Sequence, residues 1–380
     1  MKFYCITFVL ILNSYLIDVS PIQIKKVPPY LSVLGSNFTR PILEPFASTQ
    51  VDDNTDASHF IKKLKSENFL VYNHKFYDII GRNPKIEVLA SANYSFAHEG
   101  GAYIAKFNEL FFSSNRLDNN TKVQINKINL ETNEVSFNIT PKEPILFANG
   151  MYSYDGKVII CVQGQGNIGG SIVSLDPKTK KVTTIVDNFF GLKFNSPNDI
   201  VVSKDGSYWF TDPSYGYGEG FRDAPQLGDY VYRFDPFTGN IRVVADGFIK
   251  PNGLAFSPDE KVLYITDTGF FNGTGYDPKR PHAIYAFDVK KCGILSNRRL
   301  VAVTDVTIPD GIKLDIEGNI YVGTYEGDGI QVFDDSGTLL GKINIPNGAA
   351  NFAFIRNTLI ALAETDIYSV ELKIESALHF

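Results

Sequence analysis

The sequence is poor in the residues that build zinc and redox centres. Its 380 residues include three cysteines and five histidines, and these are scattered along the chain. Neither a Cys-x-x-Cys pair nor a zinc-like spacing occurs, which disfavours a zinc site and thiol catalysis. Cys5 falls in the N-terminal leader described below. Cys161 and Cys292 remain, and they can either form one disulfide or stay as free thiols.

The sequence also lacks any block or stripe of basic residues. Lys and Arg together number 36 against 42 Asp and Glu, which gives a formal net charge of −6. A nucleic-acid binder needs a basic face to neutralise phosphates. We therefore expect no nucleic-acid partner.

No apolar run reaches the roughly 20 residues that a membrane-spanning helix needs. The N-terminal apolar run, residues 3–12, follows one early cation, Lys2, and is typical of a secretory signal peptide. We place this peptide at residues 1–20, although no clear cleavage motif follows it. We expect a secreted glycoprotein with no membrane association once the signal is removed. Five N-x-Ser/Thr sequons support this route as candidate glycosylation sites: Asn37, Asn93, Asn119, Asn138 and Asn272.

Aromatic residues and glycine are abundant, with 29 Phe, 20 Tyr and 31 Gly, and they indicate many short strands joined by tight turns. One phrase recurs about every 50 residues: a small residue or proline, then Asn or Asp, then usually Gly, followed by an apolar strand. It occurs as "ANG" at 148–150, "PND" at 197–199, "PNG" at 251–253 and "PDG" at 309–311. The same spacing reaches Glu99 in one direction and Asn351 in the other, which makes six units.

Six units of about four strands each predict an all-β fold, a six-bladed β-propeller with a central channel. We assign the propeller to residues 76–373 and an N-terminal extension to residues 21–75. The extension contains a short helical pattern within "SHFIKKLKSENFL" at 58–70. The segment 76–90 is expected to supply outer strands that close the ring against the C-terminal strand "DIYSVELKI".

The inner strands of a propeller line its channel and enter it from one face, so residues at one phrase position should converge. The converging set would be Glu99, Asn149, Asn198, Asn252, Asp310 and Asn351. Such carboxylate and amide oxygens suit Ca²⁺, whereas Mg²⁺ demands stricter octahedral geometry. The alternative is that Asn-Gly and Asp-Gly merely form turns beside a wet channel. Glu99 has no role in a turn, and Asp199 stands where a turn would prefer glycine; both favour a metal.

Four stretches in order resemble one family: "HEGGAYIAKFNELFFSSNR", "NSPNDIVVSKDGSYWFTDPSYGYGEG", "KPNGLAFSPDEKVLYITDTG" and "IPDGIKLDIEGNIYVGTYEGDGIQVFDDSGTLLGKI". They are similar to the gluconolactonase–regucalcin superfamily, and most of all to its fungal lactonohydrolase-type branch. The likeness covers about residues 76–373. It implies a six-bladed propeller that holds one calcium ion, or another divalent cation, in its channel and hydrolyses small-molecule lactones of sugar acids or related hydroxy acids.

The resemblance also implies roles for particular residues. The metal ligands would be Glu99, Asn198, Asn252 and Asp310, with Asn198 at the position that ligates the metal or holds the substrate beside it. The metal would polarise the lactone carbonyl, and a carboxylate would activate the attacking water. Our first candidate for this base is Asp310, with Asp199 or His98 as second choices; a packing role is the stronger interpretation of His98.

Two loops rich in aromatic residues and glycine, at 212–223 and 267–282, should rim the site. We expect substrate contacts from these loops and from the channel, by Asn149, His98, Tyr215, Tyr217, Arg222, Phe270 and Arg280. Plain loop packing remains the alternative for each of them. Two other functions remain open: a calcium-dependent phosphotriesterase or arylesterase-like hydrolase, and a propeller that binds without catalysis.

Overall fold

The computed structural model describes residues 22–32, 34, 37–118, 122–271, 275–305 and 307–378. The signal peptide predicted at residues 1–20 and the sequons at Asn119 and Asn272 therefore lie outside the described residues. Within the described ranges, no helix is both long enough and apolar enough to cross a membrane.

The predicted six-bladed β-propeller is confirmed, because six sheets of consecutive antiparallel strands follow one another along the chain. The strands of blades 1 and 2 are Glu99–Ile104, Glu109–Ser113, Ile125–Asn129, Val135–Ser136, then Ala148–Tyr154, Lys157–Val162, Ser171–Leu175, Val182–Val186. Those of blades 3 and 4 are Ile200–Val202, Tyr208–Asp212, Tyr230–Asp235, Asn240–Ala245, then Pro251–Phe256, Val262–Asp267, Ala283–Lys290, Ile294–Val303. Those of blades 5 and 6 are Ile308–Leu314, Ile320–Tyr325, Gly329–Phe333, Leu339–Asn344, then Asn351–Ile355, Thr358–Ala363, Asp366–Glu371.

Blade 6 receives its fourth strand from the other end of the propeller sequence. Strand Lys85–Ser91 pairs antiparallel with Asp366–Glu371, so the ring closes by the pairing expected for segment 76–90. The first part of that segment was expected to be strand, and this is wrong: Phe76–Ile80 is a short helix. Its buried residues, Phe76, Ile79 and Ile80, recur at helical spacing, which places them on one face against the core.

The N-terminal extension widens blade 5. Strand Phe69–Val71 pairs with Leu339–Asn344, and Ile24–Lys26 adds a parallel strand outside it. A helix in the extension spans Thr55–Lys63, and the side chain of Asn54 caps it by accepting a hydrogen bond from the Ala57 N–H at 3.0 Å. The remaining short elements are strands Phe38–Thr39, Gln50–Val51, Asn188–Phe189 and Leu192–Lys193, 3-10 turns Pro29–Ser32, Phe46–Ser48, Leu64–Ser66, Ala105–Phe107 and Lys291–Gly293, and helix Tyr215–Gly218.

Apolar side chains fill the spaces between adjacent blades. Between blades 2 and 3, for example, Phe194, Phe210 and Tyr232 pack with ring centroids 5.2–5.3 Å apart. Cys161 is buried in the same cluster, while Cys292 is exposed at the outer edge of blade 4, and both are free thiols. Burying each large apolar side chain stabilises the fold by about 1.5–3 kcal/mol, so this packing holds the ring together.

The glycine of the repeated phrase lies within an inner strand, not in a turn. A Cβ atom added at Gly150 would sit 2.3 Å from the Asn198 carbonyl oxygen, and one at Gly253 would sit 2.5 Å from the Asp310 carbonyl oxygen. The backbone dihedral φ is not positive at Gly150, Gly253 or Gly311. The turn interpretation of these phrases is therefore wrong, and glycine is required because the next blade passes too close for a side chain.

We predict that Gly253→Ala lowers the free energy of unfolding by about 1–3 kcal/mol, because the added methyl overpacks a contact with backbone. Urea unfolding measures the change. Gly275→Ala is the control, since a Cβ there would meet no atom within 4 Å. Equal stability of the two variants would contradict the close-approach explanation.

A buried ionic cluster attaches the extension to blade 5. The ammonium group of Lys342, whose side chain is 1% exposed, lies 2.5 Å from an oxygen of Asp305 and 2.6 Å from an oxygen of Asp328. Arg40 of the extension approaches Asp305 at 2.6 Å. Burial raises the pKa of Asp305, but Lys342 and Arg40 outweigh this and hold that pKa below its ordinary value. The resulting stability is present above about pH 4 and is lost as the pH falls through the depressed pKa.

We predict that Lys342→Met lowers the free energy of unfolding at neutral pH by about 3–5 kcal/mol, because the largely buried Asp328 carboxylate loses its lysine and Asp305 keeps only Arg40. Urea unfolding again provides the measurement. Lys261→Met removes a lysine that pairs with Asp259 at 2.9 Å and is 80% exposed, and it should cost at most about 1 kcal/mol. A similar loss in both variants would show that the buried cluster contributes no more stability than an exposed ion pair.

Candidate metal centre

One cavity of about 150 Å³ opens where the inner strands begin. Five of the six residues at the repeated phrase position line it: Glu99, Asn149, Asn198, Asn252 and Asp310. They come from blades 1 to 5, and each lies in the first residues of an inner strand or just before it. The convergence expected from the repeat therefore exists for these five residues.

Several oxygens at this cavity have no protein partner. Among the described residues, the Oδ1 atoms of Asn149, Asn198 and Asp310 are buried and accept no hydrogen bond. A buried acceptor left unsatisfied costs about 1–3 kcal/mol, so three at one place indicate that something else binds them. A cation satisfies such a group of oxygens directly.

The two carboxylates at the repeated phrase position, Glu99 and Asp310, are buried close to each other. Burial raises the pKa of Asp310 well above its ordinary value, and the nearby charge of Glu99 raises it further. Burial also raises the pKa of Glu99, although His98 opposes that shift. Across the described residues, no three or more His, Cys, Asp or Glu side chains gather closely enough to hold a metal by themselves. Two carboxylates with neighbouring amide oxygens nevertheless fit the hard, oxygen-only preference of Ca²⁺.

The sixth residue of the phrase position, Asn351, supports this group from the side. Its Nδ2 donates to Glu99 Oε2 at 2.8 Å, and its Oδ1 accepts from the Phe352 N–H at 2.8 Å. Asn351 does not line the cavity. It orients the Glu99 carboxylate and stabilises its charge.

Asp199 is buried beside the centre but does not line the cavity. Its Oδ1 accepts from the Ile200 N–H at 2.9 Å, and its Oδ2 lies 4.0 Å from Lys313 Nζ. Lys313 lines a different cavity, together with residues at the far ends of the inner strands such as Val202 and Phe256. Asp199 therefore lies on the channel side that leads away from the mouth.

His98 lines the cavity and pairs with a carboxylate. Its Nδ1 lies 2.5 Å from Glu364 Oε1, and the Asn115 side chain donates to the other Glu364 oxygen at 3.1 Å. The Tyr325 ring packs edge-on against the imidazole, with 5.4 Å between the two ring centroids. Burial alone would lower the pKa of His98, but Glu364, with help from Glu99 and Asp310, raises it to about 9. The carboxylates around His98 therefore favour its protonated form.

The rim residues expected to contact a substrate lie in different environments. Tyr215 lines the cavity and accepts a hydrogen bond from Asn252 Nδ2 at 3.3 Å. Tyr217 is 56% exposed, and Phe270 is buried against Tyr276 and His282. Arg222 directs its guanidinium to four backbone carbonyls, those of Gly166, Ile168, Phe194 and Asn195. Phe270, Arg222 and Arg280 are not among the residues that line the cavity.

Several cavity residues outside the predicted set share a simple position in the repeat. Asn115 and Arg116 follow the second strand of blade 1, Gln163 follows that of blade 2, and Tyr325 ends that of blade 5. Glu364 occupies the same place in blade 6. Second strands return to the channel mouth, so their last residues form a second ring that the repeat could have revealed.

The family model of the SMP-30/Gluconolactonase/LRE-like region matches residues 98–363. Lactonohydrolase oryL of Aspergillus oryzae is 31% identical over 357 residues, which cover 87% of this chain and 80% of that protein. The solved structure of a gluconolactonase from Xanthomonas campestris matches at a TM-score of 0.66 and 27% identity, covering 80% of this chain and 93% of that one. The calcium-binding protein regucalcin of Agrobacterium tumefaciens shares the fold at a TM-score of 0.57 and 17% identity, covering 77% and 95% of the two chains. The chain belongs to the SMP-30/gluconolactonase family, as its motifs indicated.

We predict that Asn351→Leu lowers the free energy of unfolding by about 1–3 kcal/mol, because the buried Glu99 carboxylate loses its hydrogen-bond donor. Urea unfolding in the presence of a chelator measures this contact without a metal. Asn167→Leu, at an exposed asparagine, is the matched control. If both substitutions have the same effect, Asn351 does not stabilise Glu99.

Proposed function

We propose that this protein is a secreted, calcium-dependent hydrolase of small lactones. Lactone hydrolysis is supported by the family and by the names of its relatives, lactonohydrolase and gluconolactonase. The observation that carries the calcium part is the convergence of Glu99, Asn198, Asn252 and Asp310 at one cavity with unpaired buried oxygens.

Those four residues would hold the calcium ion. When bound there, calcium supplies Lewis-acid polarisation of a carbonyl group. The amide oxygens of Asn198 and Asn252 would contribute ligands without adding negative charge. Asn149 faces the same cavity with an unpaired oxygen and is available to a substrate hydroxyl group.

The base that activates water is Asp310 in this proposal. A base must reach the proton that it removes, and Asp310 lines the cavity with a free Oδ1, whereas Asp199 lies outside it. Asp310 takes a proton as the water oxygen bonds to the carbonyl carbon. The bond between that carbon and the ring oxygen then breaks, and the proton passes to the leaving oxygen. The product is an open-chain hydroxy acid.

His98 suits a role beside this reaction rather than that of the base. With Glu364 at 2.5 Å from its Nδ1, the imidazole is held in one orientation at the cavity wall. A cationic ring there donates a hydrogen bond and offsets part of the charge of the neighbouring carboxylates. The sequence-based preference for packing over catalysis at His98 remains a prediction.

We predict that the purified protein opens D-glucono-1,5-lactone, loses this activity with a chelator and regains it with calcium. Asp310→Asn should lower kcat/KM by about 100- to 1,000-fold, in the range typical for loss of one key polar group in a hydrolase site. Glu99→Gln should weaken calcium binding, measured by calorimetry. Lactone opening is followed with a pH indicator.

The control for Asp310→Asn is Asp259→Asn, which changes a surface carboxylate 55% exposed. Full activity of Asp310→Asn would reject this residue as the base. Chelation that lowers the melting temperature while no lactone is opened would favour a binding propeller. Faster turnover of a phosphotriester than of any lactone would favour the phosphotriesterase alternative.

Secretion rests on the sequence pattern at residues 1–20 and on the sequons. The three described sequon asparagines, Asn37, Asn93 and Asn138, are all exposed, as an attached glycan requires. A mass shift upon treatment with a glycosidase would support this route. A cell-retained, unmodified product from a eukaryotic host would reject it.

A further inference from the structure

The dipeptide Thr-Asp ends the second strand of both blade 3 and blade 4. It occurs as Thr211 and Asp212 in strand Tyr208–Asp212 and as Thr266 and Asp267 in strand Val262–Asp267. All four side chains are buried, and their strands pair with the inner strands that carry candidate metal ligands or directly follow them. A buried polar side chain normally has a hydrogen-bond partner, so the partners indicate what the dipeptide does.

The aspartate of each dipeptide acts within its own blade. The Asp212 carboxylate accepts hydrogen bonds from the N–H groups of residues 195 and 196 at 2.9 and 2.8 Å. The Asp267 carboxylate accepts from the N–H groups of residues 249 and 250 at 3.1 and 2.9 Å. Both segments lead directly into the repeated phrase. The aspartates therefore fix how the chain of their own blade enters the channel mouth.

The threonine of each dipeptide reaches the next blade instead. The Thr211 hydroxyl of blade 3 donates to the Asn252 carbonyl oxygen of blade 4 at 2.7 Å. The Thr266 hydroxyl of blade 4 donates to the Asp310 carbonyl oxygen of blade 5 at 2.9 Å. Thr211 Oγ1 also accepts from the Asp199 N–H at 3.1 Å, which leaves its own proton for Asn252. Both hydroxyl groups therefore hold the backbone of a candidate metal ligand from across a blade boundary.

The other two candidate ligands are also held from the preceding blade, by different groups. The Asn198 carbonyl oxygen of blade 3 accepts from the Gly150 N–H of blade 2 at 2.8 Å. The Glu99 carboxylate of blade 1 accepts from Asn351 Nδ2 of blade 6 at 2.8 Å. Each of the four candidate ligands thus accepts one hydrogen bond from the blade before it in the ring.

Blade 5 departs from the pattern where the next phrase residue is not a candidate ligand. Strand pairing aligns Thr324 with Asp267, so Gly323 takes the place of Thr266. A Cβ atom on Gly323 would sit 2.5 Å from a carbonyl oxygen of the connection to blade 6. The phrase residue of blade 6, Asn351, does not line the cavity. The hydroxyl is therefore present before blades 4 and 5 and absent before blade 6.

Hydrogen bonds between blades matter because one ion must contact ligands from several blades. Calcium binds oxygens at about 2.3–2.6 Å, so the ligands must be placed to within a few tenths of an ångström. The inner strands of different blades belong to separate sheets, and no continuous ladder of backbone hydrogen bonds fixes their spacing. Single hydrogen bonds between blades, together with side-chain packing, must fix it.

We infer that Thr211 and Thr266 are positioning residues for the metal centre, because each hydroxyl holds the backbone of a ligand in the next blade and so sets the spacing between ligands. The inference rests on the proposed calcium site. It assigns part of the affinity for the ion to two groups that do not touch it.

The test measures calcium binding to the full-length protein by calorimetry, after bound metal and chelator have been removed. Thr211→Val and Thr266→Val keep nearly the same side-chain shape and remove the hydroxyl. Each should weaken calcium binding about 10- to 100-fold, the range for loss of a group that orients a metal ligand. Thr324→Val is the matched control, because this equally buried hydroxyl donates at 2.9 Å to the Gly329 carbonyl oxygen of its own blade. It should leave calcium affinity unchanged.

The serine variants of the same two positions separate positioning from packing. Thr211→Ser and Thr266→Ser keep the hydroxyl and lose a buried methyl group, so they should be less stable in urea but retain calcium affinity. The rise in melting temperature upon adding calcium reports the affinity of any variant too unstable for calorimetry. An equal loss of affinity in the serine and valine variants would overturn the inference, and so would unchanged affinity in both valine variants.

The inference and the proposed function can fail separately. If the unmodified protein binds calcium but opens no lactone, the proposed hydrolysis fails, and the calcium affinities of the valine variants still decide the inference. If it binds calcium and opens lactones while the valine variants bind calcium equally well, only the inference fails. If it binds no calcium, the proposed calcium site fails and the inference is overturned with it.

Discussion

The close approach of neighbouring inner strands at the channel mouth is the constraint on which the site depends. Gly150, Gly253 and Gly311 each face the next blade where a Cβ atom would clash within 2.3–2.5 Å. Because these glycines let the strands come together, the residues just before them are brought around one narrow cavity. The same contact therefore sets both the packing of the blades and the position of the oxygens.

A tight ring of oxygens has an electrostatic consequence. Glu99 and Asp310 are buried near each other, and burial raises the pKa of both. Cationic His98 and the amide of Asn351 offset part of this cost, and Lys313 approaches Asp199 from the other side. These protein groups surround the cavity but leave oxygens unpaired at its centre. A divalent cation at that point would balance the arrangement, and for this reason we favour calcium.

The features of the structure that the repeat determines could be predicted from the sequence. The six blades and the convergence of five phrase residues follow from one spacing, because every inner strand begins at the same mouth. The alternative interpretation, in which Asn-Gly and Asp-Gly form turns, was wrong, since contact between blades cannot be read from a single phrase. Asn351 keeps the spacing yet hydrogen-bonds to Glu99, so equivalent positions in the repeat need not have equivalent contacts.

Some contacts of the cavity residues outside the predicted set form in connections between strands, where the repeat is least regular. Arg116 and Glu219 meet across more than one blade, in connections whose lengths differ from blade to blade, and no local pattern predicts that contact. Arg222 is the opposite case. It was expected to contact a substrate, but its guanidinium donates to backbone carbonyl oxygens, among them those of Asn195 and Gly166. In this fold the inner strands fix the position of the cavity oxygens, while the loops form the rim of the cavity. We therefore expect that a change in the loops can alter what enters the cavity while the inner strands and their oxygens stay in place.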